Sequence, residues 1–67
     1  MDQIKGLYAN HFRVGRNHHE VVIDFGQHYE DTQDACIHTR IITSPAYAKE
    51  FLKVLVQTLD EYEQQKG

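Results

Sequence analysis

Three residues of this chain form a donor set that could hold a cation: His11, Asp24 and His38. Two imidazoles and a carboxylate suit zinc or a non-haem iron. No short-spaced ligand pair such as His-x-x-x-His accompanies them, so only adjacent strands could bring them together. The plainer outcome for such a set is a solvated row, with Asp24 pairing a histidine or Arg40 across strands. His18 and His19 sit in a polar stretch and read as exposed turn residues. No metal or other cofactor is expected.

Two further chemistries are conceivable. A helix beginning at Ser44 and Pro45 would point free N–H groups and a positive dipole end outward, where a phosphate or carboxylate can dock. Arg40 and Lys49 lie a few residues to either side. The commoner arrangement is that Ser44 itself satisfies those donors. Cys36, His38 and Asp24 could be read as a nucleophile with its base and orienting acid. Cys36 and His38 are two apart on one strand, however, roughly 7 Å between Cα atoms, and nothing suggests an oxyanion hole. Gly6, Gly15, Gly26 and Gly67 are isolated, which excludes a phosphate-cradling loop. The chain is expected not to be an enzyme.

The elements that must position these residues follow from periodicity. Tyr8, Phe12 and Val14 alternate with Ala9, His11 and Arg13, predicting a first strand over about 7–14. Val21, Val22, Ile23 and Phe25 predict a second over about 20–27. Ile37, Thr39 and Ile41, alternating with Cys36, His38 and Arg40, predict a third over about 35–43. The polar stretches at 15–19 and 28–34 read as connections. Ser44 and Pro45 then open a helix over about 45–65. Ala48, Leu52, Leu55, Leu59 and Tyr62 recur along it at spacings of four and three, flanked by Phe51 and Val56. The expected fold is α+β, a three-stranded antiparallel meander followed by one long amphipathic helix, in a single domain over 1–67.

A four-residue loop at 16–19 places Val14 opposite Val21, Phe12 opposite Ile23, Asn10 opposite Phe25 and His11 opposite Asp24. Pairing Phe25 with Ile37 sets Ile23 against Thr39, Val21 against Ile41 and Asp24 against His38. Phe12, Val14, Val21, Ile23, Ile37 and Ile41 then share the face that the helix covers. Asp24, His38 and Arg40 come together on the other face, to which Ala9, Val22, Cys36 and Ile42 add apolar surface.

Size limits how far this fold can stand alone. A chain of 67 residues buries a smaller share of its surface than a typical domain. Cys36 is the only cysteine, so no internal disulfide can compensate, and a lone cysteine fits a reducing compartment. The apolar helix face is wider than one small sheet can cover, so a homodimer is expected. Seven basic against ten acidic residues, with no basic run, argue against nucleic acid as a partner. The N-terminal residues lack the apolar stretch of a signal peptide, and no segment reaches the roughly 20 apolar residues of a membrane span. A cytoplasmic location is expected. The leading functional expectation is a homodimeric protein–protein interaction or scaffold module. A binder of a small anionic ligand, at the dimer interface or the helix start, is the alternative.

The segments YANHFRVG, VVIDFGQ and HTRIITSPAYAKEFLKVL closely resemble a bacterial small-protein family catalogued only as a domain of unknown function. The resemblance spans about 8–62, and its most specific part is His-Thr-Arg running into Thr-Ser-Pro and the Ala-Lys pair. It sets Tyr8, Ala9, Asn10, Asp24, Phe25, His38, Thr39, Arg40, Ser44, Pro45, Ala48 and Lys49 on the family's motif positions. Of these, Asn10, Asp24, His38, Thr39, Arg40, Ser44 and Lys49 carry the polar groups that a ligand or partner would meet. The family implies the fold and brings no activity.

Overall fold

The alternating apolar residues and the Ser-Pro helix start give the order strand, strand, strand, helix. A computed structural model describes residues 3–30 and 34–66, and places β1 at His11–Arg16, β2 at Val21–His28, β3 at Ala35–Thr43 and α1 at Pro45–Lys66. The loop expected over 28–34 lies in part outside the described residues, as does Gly67. The strands form one antiparallel sheet in the order β1-β2-β3.

The first strand is displaced along the chain from its expected range. Residues 7–10 precede the ladder, and the strand continues through Gly15 and Arg16. The turn is the cause. Asn17 Oδ1 accepts the N–H groups of His19 at 2.9 Å and Glu20 at 2.8 Å, while Asn17 N–H donates to the Glu20 carbonyl at 3.0 Å. An asparagine that closes its own loop in this way fixes the turn at 17–20. Arg16 therefore faces Val21, Val14 faces Ile23, Phe12 faces Phe25 and Arg13 faces Asp24. The expected partners Val14–Val21, Phe12–Ile23, Asn10–Phe25 and His11–Asp24 are each off by two residues. Faces survive such a slip, because side chains alternate with period two. Phe12 and Phe25 meet edge to face, their centroids 5.8 Å apart.

The second hairpin is also shifted by two, with Asp24 facing Arg40, Ile23 facing Ile41 and Phe25 facing Thr39. Between Phe25 and Gly26 the register breaks, and Gly26 faces Ile37. His38 is thus the extra residue of a β-bulge, and the bulge inverts the faces of the residues before it. Ile37, expected on the helix side, lies on the Asp24 side. Cys36, expected beside Asp24, lies opposite Gln27 on the helix side.

The helix starts as its sequence dictates. Ser44 Oγ accepts the Tyr47 N–H at 3.2 Å, and the Ser44 carbonyl accepts the first helical bond, from Ala48, at 2.9 Å. Ala48, Phe51, Leu52 and Leu55 point towards Phe12, Val14, Val21, Ile23 and Phe25 of the sheet, across an open trough of about 430 Å³. The two layers do not close on each other. Among the described residues no apolar side chain is buried; Leu55 is 42 % exposed and Leu52 59 %. The radius of gyration is 14.5 Å, where a compact chain of this length would have about 11 Å. The accessible surface is 6382 Å², where a folded monomer of this mass exposes about 4,400 Å². No described helix is long and apolar enough to cross a membrane.

Candidate functional site

The side chain most withdrawn from water is a charged one. Asp24, in the middle of the central strand, is 2 % exposed. Its Oδ1 accepts Arg40 Nε at 2.7 Å, and its Oδ2 accepts Arg40 Nη2 at 3.0 Å. Arg13 Nη2 donates to Oδ2 from the other side at 3.1 Å. One carboxylate on β2 thereby ties β1 and β3, with the paired, charge-assisted geometry that a guanidinium favours. The Arg13 and Arg40 side chains remain 63 % and 59 % exposed. Two guanidiniums against one carboxylate leave one positive charge facing outward.

The Arg40 hydrogen bonds are the largest influence on Asp24. Burial opposes them, Arg13 reinforces them, and the carboxyl pKa is lowered from 3.8 to about 2. The same contact raises the Arg40 pKa. Asp24 is therefore ionised throughout the physiological range and cannot exchange protons there as a general acid or base. Its pKa is depressed in the folded state, so its contribution is complete above about pH 4 and is lost as pH falls towards 2. The denaturation midpoints of wild type and Asp24→Asn are expected to differ by a constant amount from pH 7 to about 4 and to converge towards pH 2. Urea titrations at stepped pH measure this. A gap unchanged at pH 2 would contradict it.

The expected row of His11, Asp24 and His38 does not assemble. The register sets His11 against Gly26. The bulge turns His38 away from Asp24 and towards the segment before β1. Its Nδ1 lies 2.7 Å from Thr39 Oγ1 and its Nε2 3.0 Å from the Tyr8 carbonyl. His38 and Thr39 line a hollow of about 250 Å³ with Leu7, Ala9 and Phe25, and so pin that segment over the Phe25 side of the sheet. Among the described residues no three His, Cys, Asp or Glu side chains are grouped to hold a metal ion. Cys36 is exposed, and the Cys36, His38 and Asp24 combination is likewise dispersed over the two faces.

Asn10 works as a piece of backbone. Its Oδ1 accepts the His28 N–H at 2.7 Å and its Nδ2 donates to the His28 carbonyl at 3.2 Å, so its amide extends the sheet where the ladder stops. Ser44 caps the helix, and Lys49 stands exposed on the second helical turn. Of the predicted site residues, the structure joins Asp24 with Arg40, and His38 with Thr39. It leaves Asn10, Ser44 and Lys49 apart from both pairs.

Arg13 is a direct partner of Asp24, a pairing that the two-residue slip had hidden, and the role of Gly26 escaped the sequence reading. Gly26 permits the bulge: a Cβ there would collide with the Cys36 carbonyl oxygen and stand 3.0 Å from Ile37 Cδ1. An isolated glycine inside a strand pattern is itself the signal of such a close approach.

No curated protein and no solved structure matches the chain. A family model matches residues 1–67, and the chain belongs to the family described as Protein of unknown function (DUF3467).

Proposed function

We propose that the chain is a homodimeric protein–protein interaction module, in which the apolar trough joins two copies and the Asp24 face is turned outward to other proteins. The observation that carries this is the absence of any buried apolar side chain among the described residues. A lone protomer would expose about 2,000 Å² more than a folded monomer of its mass should. Standard interfaces bury about 800 Å² per partner and obligate homodimers more, so a second copy accounts for the excess. Dimers unfold with a midpoint that rises with concentration. Calorimetric melts from about 5 to about 500 μM test the reading, with a rise of several degrees expected on the size scaling of small domains. A midpoint independent of concentration would contradict it.

A second reading, an anionic ligand, draws on the outward charge left by Arg13 and Arg40 around Asp24. The helix start lends it less support, because Ser44 occupies the Tyr47 N–H. Arginine Nε–H signals followed by NMR during a phosphate titration decide it. Movement of the Arg13 and Arg40 signals supports a ligand role, and static signals at millimolar phosphate remove it.

A further inference from the structure

We infer that the two copies pair through their helices in antiparallel fashion, the two apolar stripes meeting at the open side of the trough. The inference rests on the dimer reading and adds its geometry. The helix runs 22 residues, about 33 Å, and Leu55 stands at its middle. Ala48 and Tyr62 are each seven residues from Leu55, and Leu52 and Leu59 are three and four from it. Antiparallel alignment about Leu55 sets Ala48 of one copy against Tyr62 of the other, and Leu52 against Leu59. The smallest residue of the stripe thus meets the largest at both ends, which keeps the packing even. A parallel pair would stack Ala48 on Ala48 and Tyr62 on Tyr62, leaving a gap at one end and crowding at the other.

Charge points the same way. Lys49, Val56, Asp60 and Glu63 follow one another at spacings of seven, four and three, and so occupy one flank of the apolar stripe. In an antiparallel pair about a two-fold axis, each flank meets its own copy. Lys49 of either protomer then falls beside Asp60 and Glu63 of its partner, twice per dimer. In a parallel pair this flank would meet the opposite one, which carries Tyr47, Val54, Thr58 and Glu61. Flanking charges of this kind set helix orientation more than they set affinity.

The test uses chain swaps. Lys49→Glu in one chain and Asp60→Lys/Glu63→Lys in another change only exposed residues. The chains are unfolded together, refolded, and weighed by native mass spectrometry. The ratio of heterodimer to homodimers is expected to exceed its statistical value roughly tenfold, since the rim ion pairs recur twice per dimer. In parallel, Ala48→Cys and Tyr62→Cys chains, each also carrying Cys36→Ser, are mixed and oxidised. A 48-to-62 cross-link between chains is expected. Cross-links of 48 to 48 and 62 to 62, or dimers with no heterodimer preference, would overturn the antiparallel arrangement and leave the dimer standing. Monomer masses for the wild-type chain would overturn both.

Discussion

Leu55→Ala and Leu59→Ala are each expected to destabilise the assembled protein by about 2–5 kcal/mol per protomer, the range for truncating a buried leucine. The magnitude discriminates because Leu55 is 42 % and Leu59 51 % exposed in the single chain. Side chains that remain half in water would lose far less on truncation. A full-sized loss means that something covers them; of the two, Leu55 lines the trough between sheet and helix. Gln57→Ala, on the polar side of the same helix, is expected to stay within about 0.5 kcal/mol of wild type. Urea unfolding at fixed protein concentration measures all three. Equal, small effects at positions 55, 57 and 59 would mean that the stripe faces solvent.

Gly26→Ala is expected to cost about 3 kcal/mol, at the upper end of what overpacking does. The new Cβ would meet the Cys36 backbone, which cannot rotate away as a side chain can. No described glycine has a positive φ, so the demand at Gly26 is for space alone. The strands must part or the bulge must move, and either shift carries His38 away from the Tyr8 carbonyl. Loss of stability should therefore be accompanied by a displaced His38 imidazole signal in NMR spectra. Gly15→Ala is the control. Nothing lies within 4 Å of a Cβ at Gly15, and its expected effect is within about 0.5 kcal/mol. A Gly26→Ala protein as stable as wild type would show that β2 and β3 are further apart at this point than the structure places them.

Element types were readable from the residues because each rests on a local pattern. Alternation marked Val21 to Phe25 as a strand. Ser44 and Pro45, ahead of a stripe from Ala48 to Tyr62, marked the helix start. Pairing was not readable to the same depth. A two-residue slip leaves Phe12, Val14, Val21 and Ile23 on one face, so the apolar pattern could not distinguish His11 from Arg13 as the neighbour of Asp24. The arbiter was Asn17, whose side chain closes the turn one residue later than a loop at 16–19 would. In the second hairpin the extra residue His38 inverted the faces of Cys36 and Ile37, and only the isolated Gly26 hinted at it.

The candidate site fared likewise. Asp24 beside Arg40 was legible as opposite charges on neighbouring strands, although the expected register set His38 directly against Asp24. The structural duties of Asn10 and His38 were not legible. Both reach across the fold to backbone groups, of His28 and Tyr8 respectively, and a periodicity of side chains contains no record of such contacts. Chain length, the lone cysteine and the width of the apolar helix face were the sequence features that bore on assembly, and part of that face lines the open trough.

Sedimentation equilibrium of the wild-type chain at micromolar concentration tests the dimer most directly. The expected mass is about twice 7.8 kDa, with dissociation on dilution coupled to loss of structure. A 7.8 kDa species that keeps its circular dichroism and unfolds cooperatively at a midpoint independent of concentration would contradict it.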